Sequence, residues 1–222
     1  MKQIKQLLLT TALLQVAVVA MAQVKPKPAQ VKPKPAQAAP TAPKAISRQL
    51  TDFYHLTADA GIQFYFPTGF RESHALNNED FSFDYAMEIP GREFEIWFQV
   101  KSQKKNWQTY ILSKNDPTKR TENPDSIYRG MGLALAKTLT EDTTYLSRNI
   151  SQDVLKRYNA NAGKSYLLTL PDQRATKRYK YALVIALEKN QTGTLVAICF
   201  TNEKNPEFFK NVTAVSNYIK FK

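Results

Sequence analysis

The chain has a single cysteine, Cys199, so an internal disulfide is excluded. Cys199 lies in the apolar segment 194–201, which has the composition of a buried strand, and a buried thiol usually behaves as a small hydrophobic side chain. A domain spanning residues 48–222 is long enough to bury about 70% of the surface of its unfolded chain. We therefore expect a hydrophobic core to stabilise this region without covalent cross-links.

Histidine is almost as scarce, with His55 and His74 far from zinc-ligand spacing. The sequence has no G-x-S-x-G motif. It has no phosphate loop at residues 162–165 either, because Tyr158 stands where that motif needs a glycine. The sequence therefore predicts no catalytic residue, no metal and no cofactor. The alternative is an envelope hydrolase or lyase that uses carboxylates without a recognisable motif, and it requires a concave pocket that holds at least one carboxylate or histidine with a strongly perturbed pKa.

Only one long apolar run occurs, over residues 7–20, and Lys2 and Lys5 precede it. Fourteen residues are fewer than the ~20 that a membrane-spanning helix needs. Small residues at the end of this segment predict a signal peptide over residues 1–22, cleaved before Gln23. We expect an exported protein, periplasmic or extracellular and most consistent with a bacterial envelope, with no transmembrane segment after cleavage.

A lysine- and proline-rich linker is predicted over residues 23–47, where the heptad AQVKPKP repeats. Proline fixes the backbone φ angle and removes a hydrogen-bond donor, so the segment favours an extended polyproline II conformation. The linker is either an inert spacer or a cationic tether to an anionic surface.

The net charge of +12 includes the lysines of the signal peptide and the linker. Without them the predicted domain of residues 48–222 is only mildly basic. Nucleic acid is therefore not an expected partner.

Apolar residues that alternate with polar ones predict antiparallel strands, and longer periodic segments predict helices. We expect an α+β fold in which helices pack on an antiparallel β-sheet, as an α/β/α sandwich. The predicted strands cover residues 53–57, 62–66, 81–89, 94–100, 164–170, 178–188 and 194–201. The predicted helices begin at Asn123, Ser151 and Asn205, and residues 102–122 are expected to form a loop. The expected buried stripes are Ile127, Met131, Ala134, Leu135 and Thr138 in the first helix and Phe208, Val212, Val215 and Ile219 in the last.

Residues 61–70 read GIQFYFPTGF, a strand followed by Pro-x-Gly-aromatic. Together with the order of strands and helices, this segment resembles the PsbP-like family of exported α/β/α sandwiches, which includes DcrB-like proteins. The resemblance covers about residues 50–221. It implies a mostly non-catalytic protein that assists the assembly or stability of a larger complex, and it transfers no metal or partner residue to this chain.

Two clusters of basic residues are the best candidates for a binding site, because lysine and arginine beside aromatic rings suit anionic ligands. The first cluster contains Lys101, Lys104, Lys105, Trp107, Tyr110, Lys114, Lys119 and Arg120, and the second contains Arg174, Lys177, Arg178 and Lys180. The alternative is that both are ordinary solvated loops.

The combined features predict a binding or assembly module that recognises a protein complex, or an anionic polysaccharide or other polymer of the cell surface. A purely structural part of a secreted assembly is a further alternative.

Overall fold

A computed structural model describes residues 46–75, 77, 82–116, 118–119, 122–141 and 144–222. The predicted signal peptide lies outside these residues, as does the predicted linker apart from Ile46 and Ser47. Their prediction therefore rests on the sequence.

The described residues form five α-helices and nine β-strands. The helices are α1 (Arg48–Asp59), α2 (Lys104–Ser113), α3 (Ile127–Thr140), α4 (Gln152–Tyr158) and α5 (Pro206–Ala214). The strands are β1 (Ile62–Phe64), β2 (Arg71–Ser73), β3 (Tyr85–Glu88), β4 (Glu95–Ser102), β5 (Tyr145–Asn149), β6 (Ala162–Thr169), β7 (Tyr181–Lys189), β8 (Gly193–Thr201) and β9 (Ile219–Phe221).

Seven of these strands form one antiparallel sheet in the order β2-β3-β4-β8-β7-β6-β5. β1 and β9 pair separately, also antiparallel. β8 lies at the centre of the large sheet and is buried along its whole length. A strand inside a sheet that is covered on both faces buries the side chains of both its faces. The position of β7 and β8 therefore explains why both strands are apolar on both faces.

Hydrophobic clusters cover both faces of the sheet. On β8, Leu195 and Cys199 face a cluster that also contains Phe53 from α1, Tyr158 from α4 and Phe208 from α5. The opposite face of β8, with its own apolar residues, packs with α3. The predicted fold class is confirmed, since helices pack on both faces of an antiparallel sheet.

The strand predicted at residues 53–57 is wrong, because this segment lies within α1. Ser47 caps the helix, with its Oγ accepting a hydrogen bond from the Leu50 backbone N–H at 3.0 Å. The buried residues Leu50, Phe53 and Thr57 follow helical spacing, while His55 is exposed. The aromatic residues of this segment favour a strand. The N-cap at Ser47 and the helical spacing of the buried residues outweigh that preference, so the segment forms a helix.

The loop predicted over residues 102–122 is also wrong in part, because it contains α2. This helix has only one buried residue, Ser113. Because α2 lies mostly on the surface, its sequence has no apolar stripe from which a helix could be predicted.

The helical segment predicted to start at Asn123 is confirmed, since Asn123 caps a 3₁₀ turn (Pro124–Ser126) that leads into α3, but the predicted buried stripe is rotated. Leu135 is buried as expected, whereas Ala134 and Thr138 are exposed. The inner face runs instead through Gly132, where an added Cβ would lie 2.8 Å from a Tyr166 ring carbon. A pattern based on apolar side chains misses a glycine that allows close helix–sheet packing.

The helix at Ser151, the β3–β4 hairpin and the three late strands are confirmed within a few residues. The last helix begins at Asn205 as predicted, but it ends at Ala214. Ile219 is buried as expected, and it belongs to β9, where it pairs with Phe64 of β1. The short edge strands β2 and β5 carry too few apolar residues to be predicted.

Candidate binding surface

The first basic cluster centres on α2, which follows β4 and is anchored at its start by Gln103. The Gln103 backbone N–H donates to the Thr192 carbonyl at 2.9 Å, and its side-chain Nε2 donates to the Thr194 Oγ1 at 3.3 Å. Gln103 is buried. The helix is therefore fixed to the turn between β7 and β8 at one end, while most of its length lies on the surface.

The outer surface of α2 is cationic and apolar at once. Lys104, Lys105 and Lys114 are exposed, and no ion pair joins them to a carboxylate of the described residues. Leu112 is 87% exposed and Ile111 is 50% exposed. Neighbouring exposed apolar side chains are typical of surfaces that bind a partner, and the adjacent lysines give this surface a positive charge.

Trp107 and Tyr110 lie on the inner side of α2. Their ring centroids are 5.1 Å apart, and both side chains are half-buried. The indole Nε1 of Trp107 is buried, with no hydrogen-bond partner among the described residues. These rings therefore support the helix and are not a fully open stacking platform for a sugar.

Of the remaining described members of the first cluster, Lys119 forms an ion pair, and Lys101 forms none with a described carboxylate. Lys119 pairs with Asp116, with 3.4 Å between Nζ and Oδ2. Hydrogen bonds from Thr118 lower the pKa of Asp116. Lys101 is exposed at the end of β4. Arg120 lies outside the described residues, so its predicted role stays a prediction.

The second cluster lies between β6 and β7, and its Lys177 contacts buried residues of the sheet. Its Nζ lies 2.6 Å from the Glu95 Oε1 and donates to the Ser73 Oγ at 2.8 Å. The same Glu95 oxygen accepts hydrogen bonds from Ser73 and from the Trp97 indole, both at 2.7 Å. Lys177 thus holds its loop on the sheet and is not free to bind a ligand.

The proximity of Ser73 and Lys177 does not make a nucleophile and its base. A lysine base must be neutral to accept a proton from serine. Here the ammonium group donates to a carboxylate whose side chain is 1% exposed. The Lys177 Nζ is therefore engaged in an ion pair, and this contact anchors its loop to the sheet.

The other residues of the second cluster are on the surface. Arg178 donates two hydrogen bonds to Asp172, at 2.9 and 3.0 Å, while Arg174 and Lys180 are exposed. Lys177 contacts the first residue of β4, and α2 follows the last residue of that strand. At about 3.3 Å per residue, the two clusters are separated by roughly 23 Å.

Sequence reasoning missed Ser73, and it placed Glu95 on a solvated strand face, whereas Glu95 is buried. The available signal was the position of Glu95 between Phe94 and Ile96 in a strand expected to be covered on both faces, since a carboxylate there requires a partner.

Asp84 lies in a cleft of about 360 Å³ between the β3–β4 hairpin and α3. Burial raises its pKa, while a hydrogen bond from the Val100 backbone N–H, at 2.6 Å, opposes the rise. Among the described residues that line this cleft, Asp84 is the only carboxylate. Hydrolysis that requires two carboxylates therefore finds one of them among these described residues.

A second cleft, of about 390 Å³, is lined by Glu93, Glu203 and Glu207 beside α5. Arg92 pairs with Glu207, and all three glutamates are exposed. Solvated carboxylates of this kind are ordinary on protein surfaces.

Glu188 has the largest upward pKa shift among the described carboxylates. It is buried in β7, and burial together with the neighbouring Asp125 raises its pKa from 4.5 to about 7. Glu188 does not line either of these clefts. Its titration should therefore affect the stability of the fold.

We expect the free energy of unfolding to fall as the pH rises from about 4.5 to 7. Over this range the Glu188 carboxyl group is ionised in the unfolded chain but keeps its proton in the folded protein, so rising pH favours the unfolded state. Urea unfolding of the Glu188→Gln variant at pH 5 and pH 8 should show a smaller loss than the unsubstituted protein. The exposed Glu203→Gln variant is the control and should keep the full loss. An identical pH dependence in all three proteins would contradict this assignment.

No protein-family model matches the chain, and no curated protein matches it either. Within the described part of the chain, no helix has both the length and the apolar character needed to cross a membrane.

Proposed function

We propose that the protein is a non-catalytic binding module of the bacterial envelope, exported and held on the extended linker of residues 23–47. Its docking element is α2, and its partner is a protein complex with an acidic surface. The observation that carries this proposal is the exposure of Leu112 and Ile111 among lysines that form no ion pair with the described carboxylates.

A protein partner fits this surface better than a polysaccharide or another anionic polymer. Lysines alone would suit either, since both present negative charge. Leu112 gains from contact only if the partner offers an apolar depression that excludes water. An apolar anchor surrounded by cations therefore favours an acidic protein surface with a hydrophobic pocket.

The length that the linker would have when extended supports the same proposal. An extended polyproline II segment advances about 3.1 Å per residue, so the linker would hold α2 several nanometres from the surface to which it is attached.

We also propose that the chain is a distant relative of the PsbP-like and DcrB-like proteins. The supporting features are helices on both faces of an antiparallel sheet and the strand β1 within residues 61–70. Membership would agree with a role in the assembly of a larger complex.

Substitution of Leu112 by serine, combined with Lys104→Glu and Lys105→Glu, should abolish partner recovery from envelope fractions. Loss of an apolar anchor of this kind weakens binding at least about tenfold, and reversed charges add repulsion. All three side chains are exposed, so the fold should be retained, as circular dichroism would verify.

The matched control is Leu56→Ser with Lys210→Glu, which changes exposed residues of α1 and α5. It should recover the partner as the unsubstituted protein does. A protein without residues 23–47 should still bind the isolated partner. Equal recovery by the α2 variant and the control would refute the proposed docking element.

A further inference from the structure

The face of the sheet that α1, α4 and α5 cover becomes exposed toward the edge strand β5. Paired residues in neighbouring strands form a row across this face: Cys199, Leu183, Leu167 and Leu146. Cys199 is fully buried, Leu183 and Leu167 are half-buried, and Leu146 is 64% exposed. The helix layer therefore ends before the sheet does and leaves an apolar strip uncovered.

A groove of about 320 Å³ lies beside this strip, between α4, α5 and the outer strands, and shares Leu183 with it. Leu183 and Ile185 of β7 form its floor, and Val154 and Val212 contribute apolar walls from α4 and α5. The volume is at the lower end of the range of ligand pockets, and an apolar lining with few polar groups is their usual composition.

Two arginines give the groove a cationic rim. Arg148 projects from β5 on the same face as Leu146, and Arg157 belongs to α4. Both are exposed, and neither forms an ion pair with a carboxylate of the described residues. An arginine can bind a carboxylate through two parallel hydrogen bonds.

We propose that this groove binds a fatty acid, with the acyl chain along the apolar strip and the carboxylate at Arg148 and Arg157. The occupant is a single chain, because the groove holds only about 320 Å³ and the row from Leu183 to Leu146 crosses only two strand spacings, roughly 10 Å. The apolar surface supplies the affinity, and the arginines supply the preference for an anionic head group. This site is separate from α2 and does not depend on the proposed partner.

Isothermal titration of the purified protein with dodecanoate, below its micelle concentration, tests the proposal. We expect one saturable site for dodecanoate, weaker binding of octanoate and no binding of acetate. Dodecyltrimethylammonium, with the same chain and a cationic head group, should bind at least about tenfold more weakly than dodecanoate.

The Arg148→Glu and Arg157→Glu double variant should bind dodecanoate at least about tenfold more weakly, as expected for the loss of charge-assisted contacts. Arg48→Glu is the matched control, because this arginine is 94% exposed on α1 and distant in the chain from the groove. Both variants change exposed side chains and should fold.

Three outcomes would overturn the proposal: no saturable binding of dodecanoate, equal affinity for the cationic amphiphile, or unchanged binding by the double variant. Sedimentation with phosphatidylglycerol vesicles, without binding of dodecanoate, would identify a membrane surface as the ligand and would also overturn it.

Discussion

Replacement of Phe53 by alanine is expected to lower the free energy of unfolding by about 3–5 kcal/mol, the usual range for removal of a buried phenylalanine. Phe53 has no exposed surface. Its ring stacks on Tyr85 with centroids 4.8 Å apart and meets the edge of Phe64 at 4.9 Å. Alanine would leave a cavity between α1 and the sheet, where these rings cannot all move inward. Urea unfolding followed by circular dichroism measures the effect.

His55→Ala is the matched control, because it removes a side chain of similar size from the same helix. His55 is exposed, so its loss should change stability by less than about 0.5 kcal/mol. A strand at residues 53–57 would place both side chains on one face, whereas a helix separates them by about 200°. Similar losses in the two variants would contradict the helical assignment.

The Lys177→Met substitution should lower the free energy of unfolding by about 2–3 kcal/mol, because it leaves the Glu95 carboxylate buried without its counter-ion. The value is below the 3–5 kcal/mol typical of fully buried pairs, since the Lys177 side chain is 38% exposed and water offsets part of the loss. Methionine keeps most of the apolar length of lysine, so the difference reports the charge. Chemical denaturation at constant pH is the appropriate measurement.

Arg178→Met provides the comparison within the same loop. Its ion pair with Asp172 is exposed, and such pairs contribute less than about 1 kcal/mol. The double variant Glu95→Gln with Lys177→Met should be more stable than the sum of the two single losses predicts, because the second substitution removes the unpaired charge. If Lys177→Met and Arg178→Met cost the same, the Glu95 network is not a stabilising anchor.

The sequence predicts the parts of the fold that local pattern determines. β7 and β8 are apolar on both faces because each lies inside the sheet, so their composition reflects their burial. Asn205 before Pro206 predicts the start of α5, and its side chain does accept a hydrogen bond from the Phe208 backbone N–H. The end of α5 depends instead on the pairing of β9 with β1, a contact between distant segments that no local pattern contains.

The candidate binding residues also depend on contacts between distant segments, which the sequence does not predict. The sequence identifies Lys177 and Lys104 as equally basic, and the structure separates them. Lys177 meets Glu95, which is 82 residues away in the chain, while Lys104 meets no such partner among the described residues. The exposure of Leu112 could not be predicted from the sequence either. It depends on how few residues of α2 pack on the rest of the domain, and not on the sequence of α2.

The buried thiol has a practical consequence. Burial raises the pKa of Cys199, so almost no thiolate forms at neutral pH and oxidants or alkylating reagents cannot reach the sulfur. A lone cysteine is therefore compatible with an oxidising compartment for as long as the helices stay packed on the sheet. Because Cys199 lies on the central strand beneath α1, α4 and α5, its alkylation requires this helix layer to separate from the sheet, and the extent of alkylation reports that opening.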